Sequence, residues 1–303
     1  MLQLEESIRC VHEGPVAAEY QRRLEMWAKL KEARGPHDVH PGLLRDLRVY
    51  GGGQGIWVDK AITGSVSPDG RGVTVGLLHT GEHRNYLSAD GVIYHYARTS
   101  RPLGRDLQEI SATKNAGLLR LPVFVVTTAG PGKSLRDVRI GWVEDWDDAG
   151  GAFLVMFGAV EQPMACVAQD PGRLFPPAQP ACDCLPHSSK RRASSTRFRF
   201  GVFRRYGYKC AVCNIAVPEL LDVVSLKPNR RKADDDPTHG LVLCALHHRA
   251  YEAGLFAIDP DTLHVVTPSN GPDAAALNVT RADLRHLPKA AEPQALDDTR
   301  NQH

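Results

Sequence analysis

The chain has 303 residues, enough for about two domains that each bury a core, and its formal net charge of +2 is close to neutral, so affinity for a polyanion must come from local clusters of Lys and Arg and not from their total. No apolar run approaches the roughly 18 to 20 residues of a membrane span, and the start "MLQLEESIRCVHEG" lacks the basic-then-apolar order of a signal peptide. The expectation is a cytoplasmic protein with no membrane partner.

Chain order begins with an amphipathic helix over 16–35, "VAAEYQRRLEMWAKLKEARG", whose Tyr20, Leu24, Trp27 and Leu30 recur at helical spacing before Gly35-Pro36 ends it. This segment, 1–36, packs on its own domain or supplies a homodimer contact. From Leu47 to Val160 the pattern changes to short β-rich runs between Gly and Asp turns: "GIWVDKAIT", "GVTVGLLHT", "GVIYHYA", "LPVFVVTT", "IGWVEDW" and "AFLVMFGA". They predict a curved sheet or barrel over 37–160, and "LGRDLQEISATKNAGLLR" predicts a helix between strands, making the class α+β. Residues 161–196, rich in Pro, Ala and Ser, read as a linker. A second unit, 197–275, contains a short helix, a Cys pair, a strand and a further helix, and 276–303 reads as a polar tail.

Seven cysteines, six of them in the second half, form a poor disulfide framework and suit metal ligation in a reducing compartment. Cys10, Cys166, Cys182 and Cys184 lack a zinc-pair spacing and read as free thiols. Cys210-x2-Cys213 and Cys244-x2-His247 have the paired spacing from which Zn²⁺ takes four tetrahedral ligands, a closed structural site. His248 then points elsewhere, because adjacent helical residues lie about 100° apart.

The runs "YKCAVCNIAVPELLDVVSLKP" and "DDDPTHGLVLCALHHRAYEAGLFAID" resemble the HNH nuclease family, whose ββα-metal fold sets two strands and a helix around one catalytic divalent ion. By that resemblance His248 is a ligand of the catalytic Mg²⁺ or Mn²⁺, so the two adjacent imidazoles serve two metals. The sequence departs from the family at two places. Ser225, in "VVSLKP", stands where the family has the histidine that acts as general base, and His239, in "DPTHGL", stands where it has an asparagine. A serine hydroxyl cannot take a proton near neutral pH, and losing a general base removes about 10²- to 10⁴-fold of rate. Lys227, His239 or a metal-bound hydroxide would be left to support slow cleavage. His239 can also help hold the metal, since imidazole and carboxamide each offer a neutral donor. Asp234, Asp235 and Asp236 read as a solvated acidic turn before a strand.

Between His187 and Cys210 the chain carries Lys190, Arg191, Arg192, Arg197, Arg199, Arg204, Arg205 and Lys209 with no acidic residue. Such a run can neutralise several phosphates and release counterions. The stretches "YGGGQGIWVDKAITG", "GLLHTGEH", "ADGVIYHYARTSRPLGRDLQEISATKNA" and "LPVFVV" resemble the SRA (YDG-type) domains found beside HNH units in modification-dependent restriction endonucleases. Family members flip a modified cytosine into a pocket between aromatic rings. The resemblance makes Tyr96 a pocket aromatic, with Tyr86, Asp90 and Trp57 as further candidates, while packing in an aromatic-rich sheet is the competing use of Trp57, Tyr94 and Tyr96. His79 and His95 read as structural. The implied function is a modification-dependent endonuclease acting on double-stranded DNA that carries modified cytosine, 5-methylcytosine first. The alternative is a modified-DNA-binding protein with an inactive HNH unit, motivated by Ser225 and His239, and a third reading is an unselective HNH nuclease with a structural first domain.

Overall fold

The computed structural model describes residues 14–33, 35–52, 55–79, 86–97, 102–129, 134–158, 195–226, 236–259 and 261–287. Helix α1, Pro15–Ala33, begins with proline at its first helical position, where the missing N–H costs nothing. Its buried stripe is Glu19, Arg23, Met26 and Leu30, and Tyr20, Leu24 and Trp27 flank it half-buried. Arg23 is fully buried. Its Nε donates to Glu19 Oε1 at 2.7 Å and its Nη1 to the carbonyls of Thr74 and Pro122 at 2.8 and 2.6 Å. The inward face of α1 is thus built around an ion pair inside its own unit and is not left for a dimer contact. A short helix α2, Pro41–Asp46, follows, with Leu44 buried.

Strands β1 (Ile56–Val58), β2 (Thr74–His79), β3 (Gly91–His95), β4 (Val123–Thr128), β5 (Arg136–Asp147) and β6 (Ala152–Phe157) form one sheet in the order β1-β2-β4-β5-β6-β3. Only β2 and β4 are parallel; the other neighbours run antiparallel. The run around Trp57 is split, since a single helical turn, α3 (Lys60–Thr63), takes its second half. Edges β1 and β3 do not pair, so the sheet is open and the barrel form of the expectation is not met. It is nevertheless curved: the Tyr94 hydroxyl on edge strand β3 donates to the Leu78 carbonyl of β2 at 3.1 Å, past three intervening strands. Helix α4, Leu103–Leu118, packs with Ala116 against Val92, Tyr94, Val125 and Phe153 on one face. On the other face, α1 and α2 cover Val75, Phe124, Val126 and Ile140.

The second unit starts with α5, Ser195–Tyr206, two residues before the expected end of the linker. It continues through the hairpin β7 (Leu221–Ser225) and β8 (Gly240–Cys244), helix α6 (Ala245–Glu252) and the small pair β9 (Ala257–Ile258) and β10 (Val265–Val266). Its core includes Leu277 and Leu284, only 6% and 1% exposed, and the Thr280 and Arg281 N–H groups bond to the Val212 carbonyl. The expected polar tail from 276 is therefore corrected: composition hid two leucines that close the unit. Gly240 allows α5 to sit against β8, since a Cβ there would lie 2.6 Å from Val202 and 2.7 Å from Phe198.

The two units share one core. Ile93, Leu154 and Met156 of the β3/β6 edge pack with Phe198, Val202 and Phe203 of α5 in a single apolar cluster. Among the described residues no helix is long and apolar enough to cross a membrane.

The Glu19–Arg23 pair yields a stability prediction. Replacing Glu19 by Ala leaves a buried guanidinium uncompensated and should cost about 3–5 kcal/mol in urea unfolding, while Glu19→Met with Arg23→Met should recover most of it. Burial alone would raise the Glu19 carboxyl, but hydrogen bonds and charge from Arg22 and Arg23 outweigh it and hold it below the usual range. Its contribution is present above the ordinary carboxylate pKa and is lost as pH falls through the lowered value. The Glu19→Ala protein should accordingly show a shallower acid loss of stability than the parent.

Candidate metal centre and nuclease site

Gly207, at φ +81°, ends α5 and turns the chain into the first cysteine loop. The Cys210 N–H closes that loop on the Ile215 carbonyl, and the Ala211 N–H joins it to Val242 of β8. β8 delivers Cys244 to the start of α6, and the first turn of α6 carries His247. The four donor atoms lie within 4.8 Å of one another and all four residues are buried. Cys213 Sγ is 3.9 Å from Cys244 Sγ, and His247 Nδ1 is 3.6 Å from Cys210 Sγ and 3.0 Å from Cys244 Sγ.

A zinc ion with Zn–S of about 2.3 Å and Zn–N of about 2.0–2.1 Å spaces tetrahedral donors roughly 3.5–3.8 Å apart, so this cluster fits zinc. Burial pushes the Cys210 and Cys213 thiols up and the His247 imidazole down. A dry pocket of this kind holds thiolates only beside a cation, and a bound metal deprotonates them outright. Four protein donors would leave a bound ion no open position.

His248 leaves α6 in a different direction. Its Nδ1 lies 3.5 Å from Asp222 Oδ2 on β7 and its Nε2 3.5 Å from Glu252 Oε1. Asp222 also takes Arg199 Nη2 at 2.8 Å. The Asp222 contact raises the His248 imidazole. Burial alone would raise the Asp222 carboxyl, but His248 and Arg199 outweigh it and hold it low.

Ser225 ends β7 directly opposite Gly240, and the Leu226 N–H donates to the His239 carbonyl at 2.8 Å. The fold therefore brings Ser225 and His239 to one end of the hairpin, with His239 buried in a one-turn helix, Pro237–His239. Asp236 caps that turn by accepting from the Thr238 N–H and hydroxyl, while Lys227, Asp234 and Asp235 lie outside the described residues. Among the described residues the Cys₃His cluster is the only group of three or more His, Cys, Asp or Glu donors that could hold an ion. Among the described residues, neither His239 nor His248 belongs to such a group.

The four residues expected to line a base pocket fall into three different packing environments. Trp57 joins the core under α1 and α2, beside Tyr50. Tyr86 is 1% exposed; its hydroxyl donates to Pro218 in the second unit and its ring meets Phe203 edge-on. Asp90 accepts from the Thr196 hydroxyl at 2.6 Å. His95 lies between the rings of Tyr86 and Tyr208, as a packed residue does. Tyr86 and Asp90 thus join the two units and are spent as pocket candidates.

Tyr96 remains half-exposed, packed on Phe153, with its hydroxyl donating to Asp148 at 2.7 Å. The ammonium of Lys114 stands 5.9 Å from the Tyr96 ring centre and 5.8 Å from that of Trp146, and bonds Asp148 at 2.6 Å. Sequence reading missed Lys114, Trp146 and Asp148, which lie far from Tyr96 along the chain; only the "EDWDD" cluster of an aromatic among acids hinted at them.

The expected phosphate contacts also change. Arg197 grips Glu144 with two hydrogen bonds, Arg204 bonds Asp145, and Arg199 bonds Asp222. Arg205 lies over the Tyr206 ring. The α5 arginines mostly face carboxylates, because acids distant in sequence meet them in the fold. Lys190, Arg191, Arg192, Cys10, Cys166, Cys182 and Cys184 lie outside the described residues.

Cys213→Ser should abolish stoichiometric zinc and release the second unit to proteolysis, since structural zinc contributes on the order of 10 kcal/mol of apparent folding free energy. Metal analysis of the purified protein and limited proteolysis with and without a strong chelator check this.

No curated protein sequence matches this chain. A solved structure described as a modification-dependent TagI restriction endonuclease aligns over 88% of this chain and 91% of its own at 18% identity, with a TM-score of 0.34. Residues 210–259, which contain the whole Cys₃His cluster with β7, β8 and α6, match the family model described as HNH endonuclease.

Proposed function

We propose that this protein binds double-stranded DNA carrying a modified cytosine and that its zinc-stapled C-terminal unit hydrolyses phosphodiester bonds. The observation that carries the reading is the HNH endonuclease match over 210–259, laid on a hairpin and helix whose fourth zinc ligand is followed directly by His248. The divalent ion implied by the HNH resemblance would supply charge stabilisation at the scissile phosphate. No step is assigned to it, because the described residues do not gather its ligands.

Base reading is assigned to the Tyr96, Lys114, Trp146 and Asp148 cluster. A flipped base needs an aromatic face to offset unstacking, which costs a few kcal/mol. Cytosine's exocyclic amine donates, so a carboxylate suits its edge. Tyr96 and Trp146 offer the rings, and Asp148, with a side chain 64% exposed, offers the acceptor. On 5-methylcytosine the added methyl would rest on apolar ring surface.

A second reading, a modified-DNA reader without turnover, is favoured by Ser225 at the general-base position and by the engagement of His248 with Asp222 and Glu252. Digestion of one plasmid in unmethylated and cytosine-methylated forms, with Mn²⁺ and with EDTA, separates them. Metal-dependent cutting confined to the methylated form supports the nuclease, and tight binding of that form without cutting supports the reader. Equal cutting of both forms removes the base-reading role.

Two substitutions sharpen the outcome. Ser225→His should raise the cleavage rate by about 10²- to 10⁴-fold if the missing base limits it. Tyr96→Ala should erase the preference for methylated over unmethylated duplex while leaving zinc content and binding to unmethylated DNA unchanged.

A further inference from the structure

A cavity of about 580 Å³ opens between the end of α5, the first cysteine loop and the closing segment 281–287, lined among others by Tyr206, Lys209, Arg281, Asp283 and His286. Lys209 is exposed and has no hydrogen-bond or ion-pair partner among the described residues. Arg281 makes one side-chain hydrogen bond, from Nη2 to the neutral Asn214 Oδ1 at 3.0 Å, and no carboxylate faces it among the described residues. The one acid of the cavity, Asp283, already accepts the Arg285 N–H at 2.9 Å. His286 Nδ1 donates to the Asp283 carbonyl at 2.9 Å, which holds its ring at the rim. The contrast with α5 is physical: there Arg197, Arg199 and Arg204 are each neutralised by a carboxylate, whereas here two cations converge on solvent-filled space with a single acid.

We infer that this cavity is a subsite for a DNA backbone phosphodiester away from the bond that is cut. The inference rests on the DNA-binding reading above and adds where the duplex is held. A guanidinium and an ammonium converging from two segments suit phosphate oxygens, one through directed N–H groups and the other as a point charge. The cavity adjoins Cys210 at the zinc end of the β7/β8 hairpin, and Ser225 and His239 lie at the other end. At about 3.3 Å per residue the five residues of β7 span roughly 13 Å.

The test uses the full zinc-loaded chain and a short, labelled, unmodified duplex, with affinity followed by fluorescence anisotropy between about 50 and 200 mM salt. Lys209→Gln with Arg281→Gln should lower the slope of log affinity against log salt by about 1 to 2 and weaken binding several-fold, with zinc content unchanged. A control that removes two exposed charges elsewhere, Lys29→Gln with Arg45→Gln, should leave the slope as in the parent. If the double variant loses zinc, Lys209→Gln alone gives the readout, because that side chain has no hydrogen-bond or ion-pair partner among the described residues and its loss should lower the slope by about 1.

An unchanged slope in a parent that binds DNA overturns the subsite and leaves the DNA-binding reading standing; a slope that falls equally in the control also overturns it. A parent that binds neither this duplex nor its cytosine-methylated form overturns both. Calorimetric binding of inorganic phosphate alone, with the DNA slope unchanged, would mean a small-anion site and counts against the proposal.

Discussion

The outer face of the β3/β6 edge is apolar: Ile93, Leu154 and Met156 are at most 3% exposed. Helix α5 covers it, with Phe203 stacked on Tyr208 at 4.6 Å and nearly parallel, and with the rings of Tyr86 and His95 meeting that stack edge-on. Each large side chain buried there contributes on the order of 1.5–3 kcal/mol. Separating the units would expose the whole cluster. Fit at the seam is close, since a Cβ on Gly150 would come within 2.6 Å of Tyr208. The two units are therefore packed together through this cluster. The distance from the sheet to the Cys/His cluster is set by this packing.

That docking also decides where charge is available. The chain is nearly neutral, and α5 commits three arginines to Glu144, Asp145 and Asp222. Exposed pairs of this kind are worth little in stability, about 0–1 kcal/mol each. Their effect is on orientation, as they fix the rotation of α5 on the sheet, and on surface potential, as they remove positive charge from a region whose sequence reads as strongly basic. Cation density reappears at Lys209 and Arg281, which line one cavity with a single acid, Asp283, and form no ion pair among the described residues.

The sheet was legible because its signal is local. All six β-rich runs became strands of one sheet, and the run expected as an intervening helix became α4, since alternation and turn residues suffice to mark such elements. The Cys₃His cluster was legible for a related reason: two short paired spacings, each within one loop or turn, meet in the fold. What could not be read depends on contacts between residues far apart in sequence. Glu19 and Arg23 look like the polar face of an amphipathic helix until Thr74 and Pro122 supply carbonyls to the guanidinium. Tyr86 and Asp90 look like pocket residues until Pro218 and Thr196 occupy them. The arginines of α5 have acids as partners only in the folded chain, and so does Tyr96, whose neighbours Lys114 and Asp148 come from α4 and the β5–β6 turn.

The two adjacent histidines leave one helix in different directions. His247, buried, turns Nδ1 toward two sulfurs, and His248, about 100° around α6, faces Asp222 across the hairpin. The two directions follow from the offset of successive residues around α6, which puts His247 in the buried Cys/His cluster and His248 beside Asp222 and Glu252. The two positions that depart from the HNH resemblance, Ser225 and His239, sit together at the hairpin end. Strand pairing there is regular, with Ser225 opposite Gly240 and no bulge in β7. The backbone thus presents position 225 as a strand does whatever the side chain, and the difference between a hydroxyl and an imidazole at that position is one of proton affinity rather than of fold.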